Sequence, residues 1–305
     1  MSLSTNAKVF STEFGTSVRE KLFDVIANLT PTETLFLTGL SKEPTGNMKF
    51  EWLADSTTTF QSNSHYDGED YAFSALSART RPSNYCQFFI TTFKVGDLIN
   101  KADQAGLTTE YAYQEMKAAK MHATDIEKAI IYGTSAGISS ATASTTRGID
   151  SWISTYSADL SAVAALTEDE FNDLCQDIVT NVTAAPNWVV CSPSCKRQIS
   201  SFSTPSTRYI DVADKRLVSN VNVYEGDFGV YQIEYCRWLS NTYSGDGDGR
   251  VYFIDKSQWS LAVYAETWSK SVPIAAAATA GALHTCLGVK CLAESANGKM
   301  VVSNG

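Results

Sequence analysis

The sequence predicts an α+β fold from which one segment projects. Three observations carry that prediction. Residues 48–95 hold two strand-like runs separated by a very long insert, residues 108–132 write a single long helix, and from Trp152 onward helical and strand periods alternate.

The elements follow in chain order. Ser17, Val18, Arg19 and Glu20 spell a capping box that opens a short helix, with Val18, Leu22, Val25, Ile26 and Leu29 on one face. Thr30, Pro31, Thr32 and Glu33 repeat the signal with proline at the first helical position, predicting a second short helix that ends near Gly39. Met48, Phe50, Trp52 and Ala54 alternate with Lys49 and Glu51 as strand residues do, and Tyr85 to Val95 is a second strand, rich in aromatic and β-branched residues. Between them lie 30 residues, Asp55 to Asn84, of which ten are Ser or Thr. Ordinary connections have about 4–6 residues. This one is therefore either a disordered loop or an arm that rests on something outside its own domain. Phe60, Tyr66, Tyr71, Phe73 and Leu76 give it apolar surface to bury against a partner.

Thr108 can cap the long helix and Gly133 can end it. Ala112, Met116, Ala119, Ala123, Ile126 and Ile130 form its apolar stripe, and Gln114, Lys117, Glu127 and Lys128 lie on the opposite side. At about 1.5 Å of rise per residue it is roughly 35 Å long. Thr167 to Glu170 is another capping box, followed by Phe171, Leu174, Cys175, Ile178, Val179 and Val182 on one face. Trp188 to Cys191 is a short buried strand, and Ser192 and Pro193 start another helix. Val221 to Tyr224, Val230 to Trp238 and Val251 to Ile254 are predicted strands with Gly and Asp turns between them. Leu283 to Val302 is predicted as strands broken by a turn at Asn297 and Gly298.

Composition narrows the function. With 305 residues and 44% hydrophobic content the chain can bury a sizeable core, in about one to three domains. A net charge of −9 repels phosphate, which argues against direct wrapping of nucleic acid. The first ten residues hold one Lys and no apolar run, so no secretory leader is expected. Val272 to Ala293 is Ala-rich but interrupted by Thr279, His284 and Lys290, and falls short of a membrane span. Seven Cys (86, 175, 191, 195, 236, 286, 291) make an odd count, several of them inside apolar runs, which points to a reducing compartment.

Candidate chemistry is sparse. Gly133, Thr134, Ser135, Ala136 and Gly137 match the hydrolase elbow pattern, but that elbow needs a strand before the serine and a helix after it, and here a helix precedes and a loop follows. Cys191 and Cys195 have loose metal spacing without a second ligand pair, and the chain has only three His. Asp246, Gly247, Asp248 and Gly249 resemble a calcium-loop fragment, but the twelfth position is Ser257, so a hairpin turn is the better reading. Asn28 and Asn181 head glycosylation sequons that matter only on secretion. No catalytic residue, metal site or cofactor is expected.

A series of short motifs then carries a family resemblance. They run in order: Pro31-Thr32-Glu33-Thr34-Leu35-Phe36; Phe50-Glu51-Trp52-Leu53-Ala54-Asp55; Arg79-Thr80-Arg81 with Asn84, Gln87 and Phe88; Asp125-Ile126-Glu127-Lys128-Ala129 with Gly133; Thr146 to Ile153; Asp227-Phe228-Gly229; and Val251-Tyr252-Phe253-Ile254-Asp255. Together they resemble the major capsid, or major head, proteins of tailed phages with the Hong Kong 97-type fold. The Ala-rich stretch 275–282 departs from that pattern.

The resemblance implies an N-terminal arm (1–47), an extended loop lying over the adjacent subunit (48–95) and a peripheral domain (96–154) with a spine helix at 108–132. It further implies an axial domain (155–260) and a return to peripheral strands (261–305). It implies assembly contacts at Trp52, Phe60, Tyr66, Tyr71, Phe73, Arg79 and Arg81, and self-association into pentamers and hexamers around packaged DNA that is enclosed without specific binding. Scaffold, portal and decoration proteins are the further partners it implies, in a virion assembled in the host bacterial cytoplasm. A nanocompartment shell of the same fold, a non-capsid phage component and a serine hydrolase are the rival readings.

Overall fold

The computed structural model describes residues 33–55, 64–70, 73, 78–102, 109–139, 142–161, 166–182, 186–202, 222–244 and 248–303. The helix predicted over 17–29 and the turn predicted at Asp246 and Gly247 lie outside them. The elements are α1 (Leu35–Gly39), β1 (Ser41–Pro44), β2 (Lys49–Glu51), β3 (Ser83–Tyr85), β4 (Gln87–Gly96), α2 (Asp97–Lys101), α3 (Glu110–Tyr132), α4 (Ile149–Trp152), β5 (Tyr156–Leu160), α5 (Glu168–Asn181) and β6 (Trp188–Cys191). They continue with α6 (Pro193–Ile199), β7 (Val223–Gly226), β8 (Gly229–Tyr235), α7 (Asn241–Ser244), β9 (Gly249–Ile254), β10 (Trp259–Val272), β11 (Ala278–Cys291) and β12 (Gly298–Val302).

The strands form a six-stranded sheet of order β5-β12-β9-β6-β8-β7, a four-stranded sheet of order β1-β10-β11-β4, and the two-stranded ladder β2-β3. Every residue of β6 and β9 is buried, as the continuous apolar runs of a doubly covered strand require. Side chains alternate between the faces. Val189, Cys191, Val251 and Phe253 pack with Phe171, Leu174 and Ile178 of α5. Trp188, Val190, Tyr252 and Ile254 join a second core with Phe36 of α1, Ile126 and Ile130 of α3, and Leu261 and Val289 of the other sheet. That second core joins the two sheets.

The capping box before α5 forms as written: Thr167 Oγ1 accepts from the Glu170 N–H at 3.3 Å, and Glu170 Oε2 accepts from the Thr167 N–H at 2.9 Å. Ser192 likewise caps α6, accepting from the Cys195 N–H at 3.2 Å.

The long helix corrects three expectations. Its N-cap is Thr109, without a side-chain cap bond, and Thr108 lies outside the described residues. The predicted stripe holds at Ile126 and Ile130, but Ala112, Met116 and Ala119 are exposed, and Ala118 and His122 turn inward in their place. The sheet selects His122, whose Nδ1 lies 2.9 Å from Thr91 Oγ1 and whose Nε2 lies 2.8 Å from Thr285 Oγ1. Glu127, predicted on the outer side, is fully buried. Its carboxylate accepts the N–H groups of Phe36 at 2.7 Å and Leu37 at 2.8 Å. It thereby satisfies the first turn of α1, which begins at Leu35 and has no side-chain cap of its own.

The C-terminal quarter differs most from expectation. β10 was not legible as a strand, because register shifts between Val263 and Ala265 and between Ala265 and Trp268 break its alternation. β12 does not stay with β10 and β11: it pairs parallel to β5 and antiparallel to β9 inside the six-stranded sheet. Asn297, predicted in a turn, caps a short 3-10 turn and is fully buried. Its Oδ1 accepts from the Asp255 N–H at 3.0 Å and from Trp259 Nε1 at 2.8 Å. Where α4 meets the six-stranded sheet, Asp150 Oδ1 accepts from Arg250 Nε at 3.1 Å and from the Tyr252 hydroxyl at 2.9 Å. Among the described residues, no helix is long and apolar enough to cross a membrane.

Candidate assembly surface

The insert grows from a stem held by the subunit itself. β2 and β3 pair through Lys49–Tyr85, Phe50–Asn84 and Glu51–Ser83, and the ladder ends at an Ala54–Thr80 bridge. Asn84 roots it. Fully buried, its Nδ2 donates to the Val289 carbonyl at 2.6 Å while its Oδ1 accepts from the Arg147 N–H at 2.9 Å. Residues 80–84 therefore belong to the stem, and the span from Asp55 to Asn84 includes part of the core. β4 likewise belongs to the four-stranded sheet and not to the extended loop.

The residues expected to make assembly contacts separate into three groups. Trp52 is in the subunit's own core, its ring 6.0 Å from Phe50 and 5.6 Å from Trp152, which corrects its placement among residues offered to a neighbour. Arg79 and Arg81 are exposed but pair along the stem, Arg79 Nε with Asp55 at 3.2 Å and Arg81 Nε with Glu51 at 2.6 Å. Tyr66 and Phe73 stand 74% and 96% exposed. Phe60 and Tyr71 lie outside the described residues. Around Gly68, whose φ of 85° suits glycine, the insert turns back, with the Glu69 N–H donating to the Tyr66 carbonyl at 3.3 Å.

A second exposed feature escaped the sequence reading. α3 covers one face of the four-stranded sheet, and the other face carries Phe88, Ile90, Tyr264 and Trp268, all substantially exposed. His284 lies flat against Phe88 at 5.5 Å and against Trp268 at 5.1 Å. Phe88, Ile90, Tyr264 and Trp268, with Met48, Ile138 and Cys286, line a cleft of about 420 Å³. The sequence held one clue: Phe88, Phe89 and Ile90 are apolar on both faces of an edge strand.

The chemical motifs resolve into structure. Ser135 is exposed just after α3, immediately before an Ala136–Thr145 bridge. Gly133 and Gly148 are held against each other by a 2.8 Å backbone bond, too close for a side chain at either position. All seven Cys are free and buried, and burial lifts the thiols of Cys175 to about 11 and of Cys236 and Cys291 to about 12. Among the described residues no group of three or more His, Cys, Asp or Glu could hold a metal ion.

Comparison with known proteins completes the picture. Residues 3–303 match the family model described as SU10 major capsid protein. No curated protein matches the sequence. Solved structures match in shape. "Capsid of native GTA particle computed with C5 symmetry" superposes with a TM-score of 0.67 at 12% identity, covering 98% of this chain and 99% of that one. A chain from Mycobacterium phage Ogopogo gives 0.66 at 13% identity, covering 98% and 100%. A chain from Gordonia phage Cozz gives 0.66 at 12% identity, covering 100% and 97%. At such identities the likeness speaks for the fold, which is of the Hong Kong 97 type.

Proposed function

The chain belongs to the SU10 major capsid protein family, whose function is to form the capsid of the virion, and from that premise we propose how it builds the shell: each copy lays its insert on a neighbour. The observation that carries this reading is the exposure of Phe73 and Tyr66 at 96% and 74% on a stem the subunit anchors firmly. Leaving such side chains in water forgoes the burial a neighbour would provide.

In this reading α3 is the spine of a peripheral domain built on the four-stranded sheet. The six-stranded sheet is the axial domain, with loops that meet at five- and six-fold axes in pentamers and hexamers. Residues 1–47 are an N-terminal arm. The shell encloses double-stranded DNA without specific contacts, in keeping with a net charge of −9. Scaffold, portal and decoration proteins are the further partners, assembly takes place in the host bacterial cytoplasm, and no step needs a catalytic residue or cofactor.

The test is to replace residues 56–78 with Asn-Gly, a turn suited to a two-residue hairpin. The subunit is expected to keep its circular dichroism and thermal unfolding while electron microscopy and light scattering lose the megadalton particle. Normal particles from this variant would overturn the reading.

A further inference from the structure

Beyond assembly, we propose that Cys86 and Cys286 form a dithiol modification site, entered from the cleft on the four-stranded sheet, which a small uncharged aromatic disulfide converts to a disulfide within the chain.

Strand register brings the two thiols together. In the ladder between β4 and β11, Phe88 pairs with Cys286 and Gln87 with Leu287. Cys86 lies one residue before β4, where its N–H donates to the Met48 carbonyl at 2.6 Å. Its Sγ lies 3.8 Å from the Ala262 carbonyl oxygen of β10, so the side chain reaches across β11, which runs between β4 and β10. There it meets Cys286, and the two thiols are hydrogen-bonded to each other. Contact between the sulfurs is the first geometric requirement of a disulfide. The two differ in access. Cys286 lines the cleft among Phe88, Ile90, Tyr264 and Trp268, whereas Cys86 does not line it and is wholly buried.

The shared hydrogen bond sets the order of reaction. It holds the Cys286 thiol below its ordinary value and pushes the Cys86 thiol up. Burial raises the other five thiols. The thiolate is the nucleophile, so Cys286 attacks first. Its proton leaves to solvent, its sulfur bonds to one sulfur of the reagent, and the reagent's own S–S bond breaks to release one aromatic thiol. Cys86 then loses its proton and attacks Cys286 Sγ, expelling the second aromatic thiol. Two protein thiols are oxidised by two electrons in all, and the reagent is reduced to two thiols. The cleft selects the reagent. Its lining is largely apolar and aromatic, so a charged disulfide would give up its hydration without a partner there. A reducing compartment keeps the pair as thiols, and a disulfide met outside it closes the pair. Because Cys86 directly follows β3, the bond would tie β11 to the foot of the stem.

The test treats the folded, reduced, full-length chain with dithiodipyridine, an uncharged aromatic disulfide whose released thiopyridone is read by absorbance. The wild-type chain is expected to release two thiopyridones, to lose the mass of two hydrogens, and to yield on digestion a peptide pair joined through Cys86 and Cys286. Cys86→Ala is expected to stop at one thiopyridone and keep the adduct on Cys286, and Cys286→Ala to release none. Glutathione disulfide, which is charged, is expected to leave the wild-type pair reduced under the same conditions. No release from the folded wild-type chain, an adduct that persists on it without an internal bond, or a bond mapped to other cysteines overturns the proposal. Equal reaction with glutathione disulfide overturns it too, because the cleft would then not select the reagent. The wild-type mass and peptide map decide the outcome even if one of the variants fails to fold.

Discussion

The two large sheets of this subunit are treated differently by their own chain. In the six-stranded sheet β6 and β9 are buried at every position, with α5 on one side and the shared core on the other. In the four-stranded sheet the side facing α3 is covered, while the other side is covered only in part and leaves Trp268 41% exposed. The first arrangement is complete within one chain. In the proposed assembly the second meets a partner, because apolar side chains in water contribute little to the subunit and a great deal to whatever covers them.

The largest expected effect tests that division directly. Phe253→Ala removes a ring that packs 4.8 Å from Phe171 in a fully buried site. It should cost ~3–5 kcal/mol of subunit stability, read from the denaturant midpoint. Trp268→Ala removes a larger side chain from the bare face and should cost less than about 1 kcal/mol, while lowering particle yield. Equal losses of subunit stability from the two variants would break the comparison.

What could be read in advance follows the same line. β6 was predicted from Trp188 to Cys191 with both ends correct, and α5 and α6 start where their caps are written, because those signals lie within a few residues of each other. The resemblance motifs sufficed for the family and the fold. Longer-range arrangements were illegible. Glu127 looks like a solvated helix residue until α1, 91 residues away, is placed against it. The exposed aromatic face is assembled from residues near 90, 268 and 284, and its β10 part is hidden by bulges that break the strand period. The assignment of β12 to the six-stranded sheet depends on pairing with β5 and β9, which its own sequence does not specify.

Glu127 sits where the two regions join, and its titration sharpens the comparison. Burial, the dominant cause, lifts its carboxyl to about 7 despite the N–H groups of Phe36 and Leu37, which pull the other way. A folded pKa above the unfolded value of 4.5 means the folded state holds a proton that the unfolded state has lost. The contribution is therefore full below pH 4.5 and is lost as pH rises through about 7. His122 opposes it in part, since desolvation lowers its pKa from 6.5 and its contribution is lost as pH falls below that value. The readout is thus a difference. Relative to Glu127→Gln, which cannot titrate, the wild-type subunit should lose about 1–2 kcal/mol between pH 5 and pH 7.5, taken as roughly half the full linkage value. Parallel Tm profiles for the two proteins across that range would remove the carboxyl from the account.

The smallest effect separates stability from assembly most cleanly. α5 covers the far side of the six-stranded sheet and starts on the Thr167–Glu170 capping box. Thr167→Ala leaves the Glu170 N–H without its side-chain acceptor. It should cost ~1 kcal/mol, visible as a shift of a few degrees or less in thermal unfolding. The box belongs to the helix on the six-stranded sheet and not to the insert or the exposed aromatic face, so particle yield under conditions where the subunit is folded should stay at the wild-type level. Trp268→Ala predicts the reverse pattern: unfolding nearly unchanged, particles lost. If Thr167→Ala instead reduced particle yield as much as Trp268→Ala did, the six-stranded sheet and its covering helix would be part of the assembly surface, and the assignment of folding to one sheet and assembly to the other would fail.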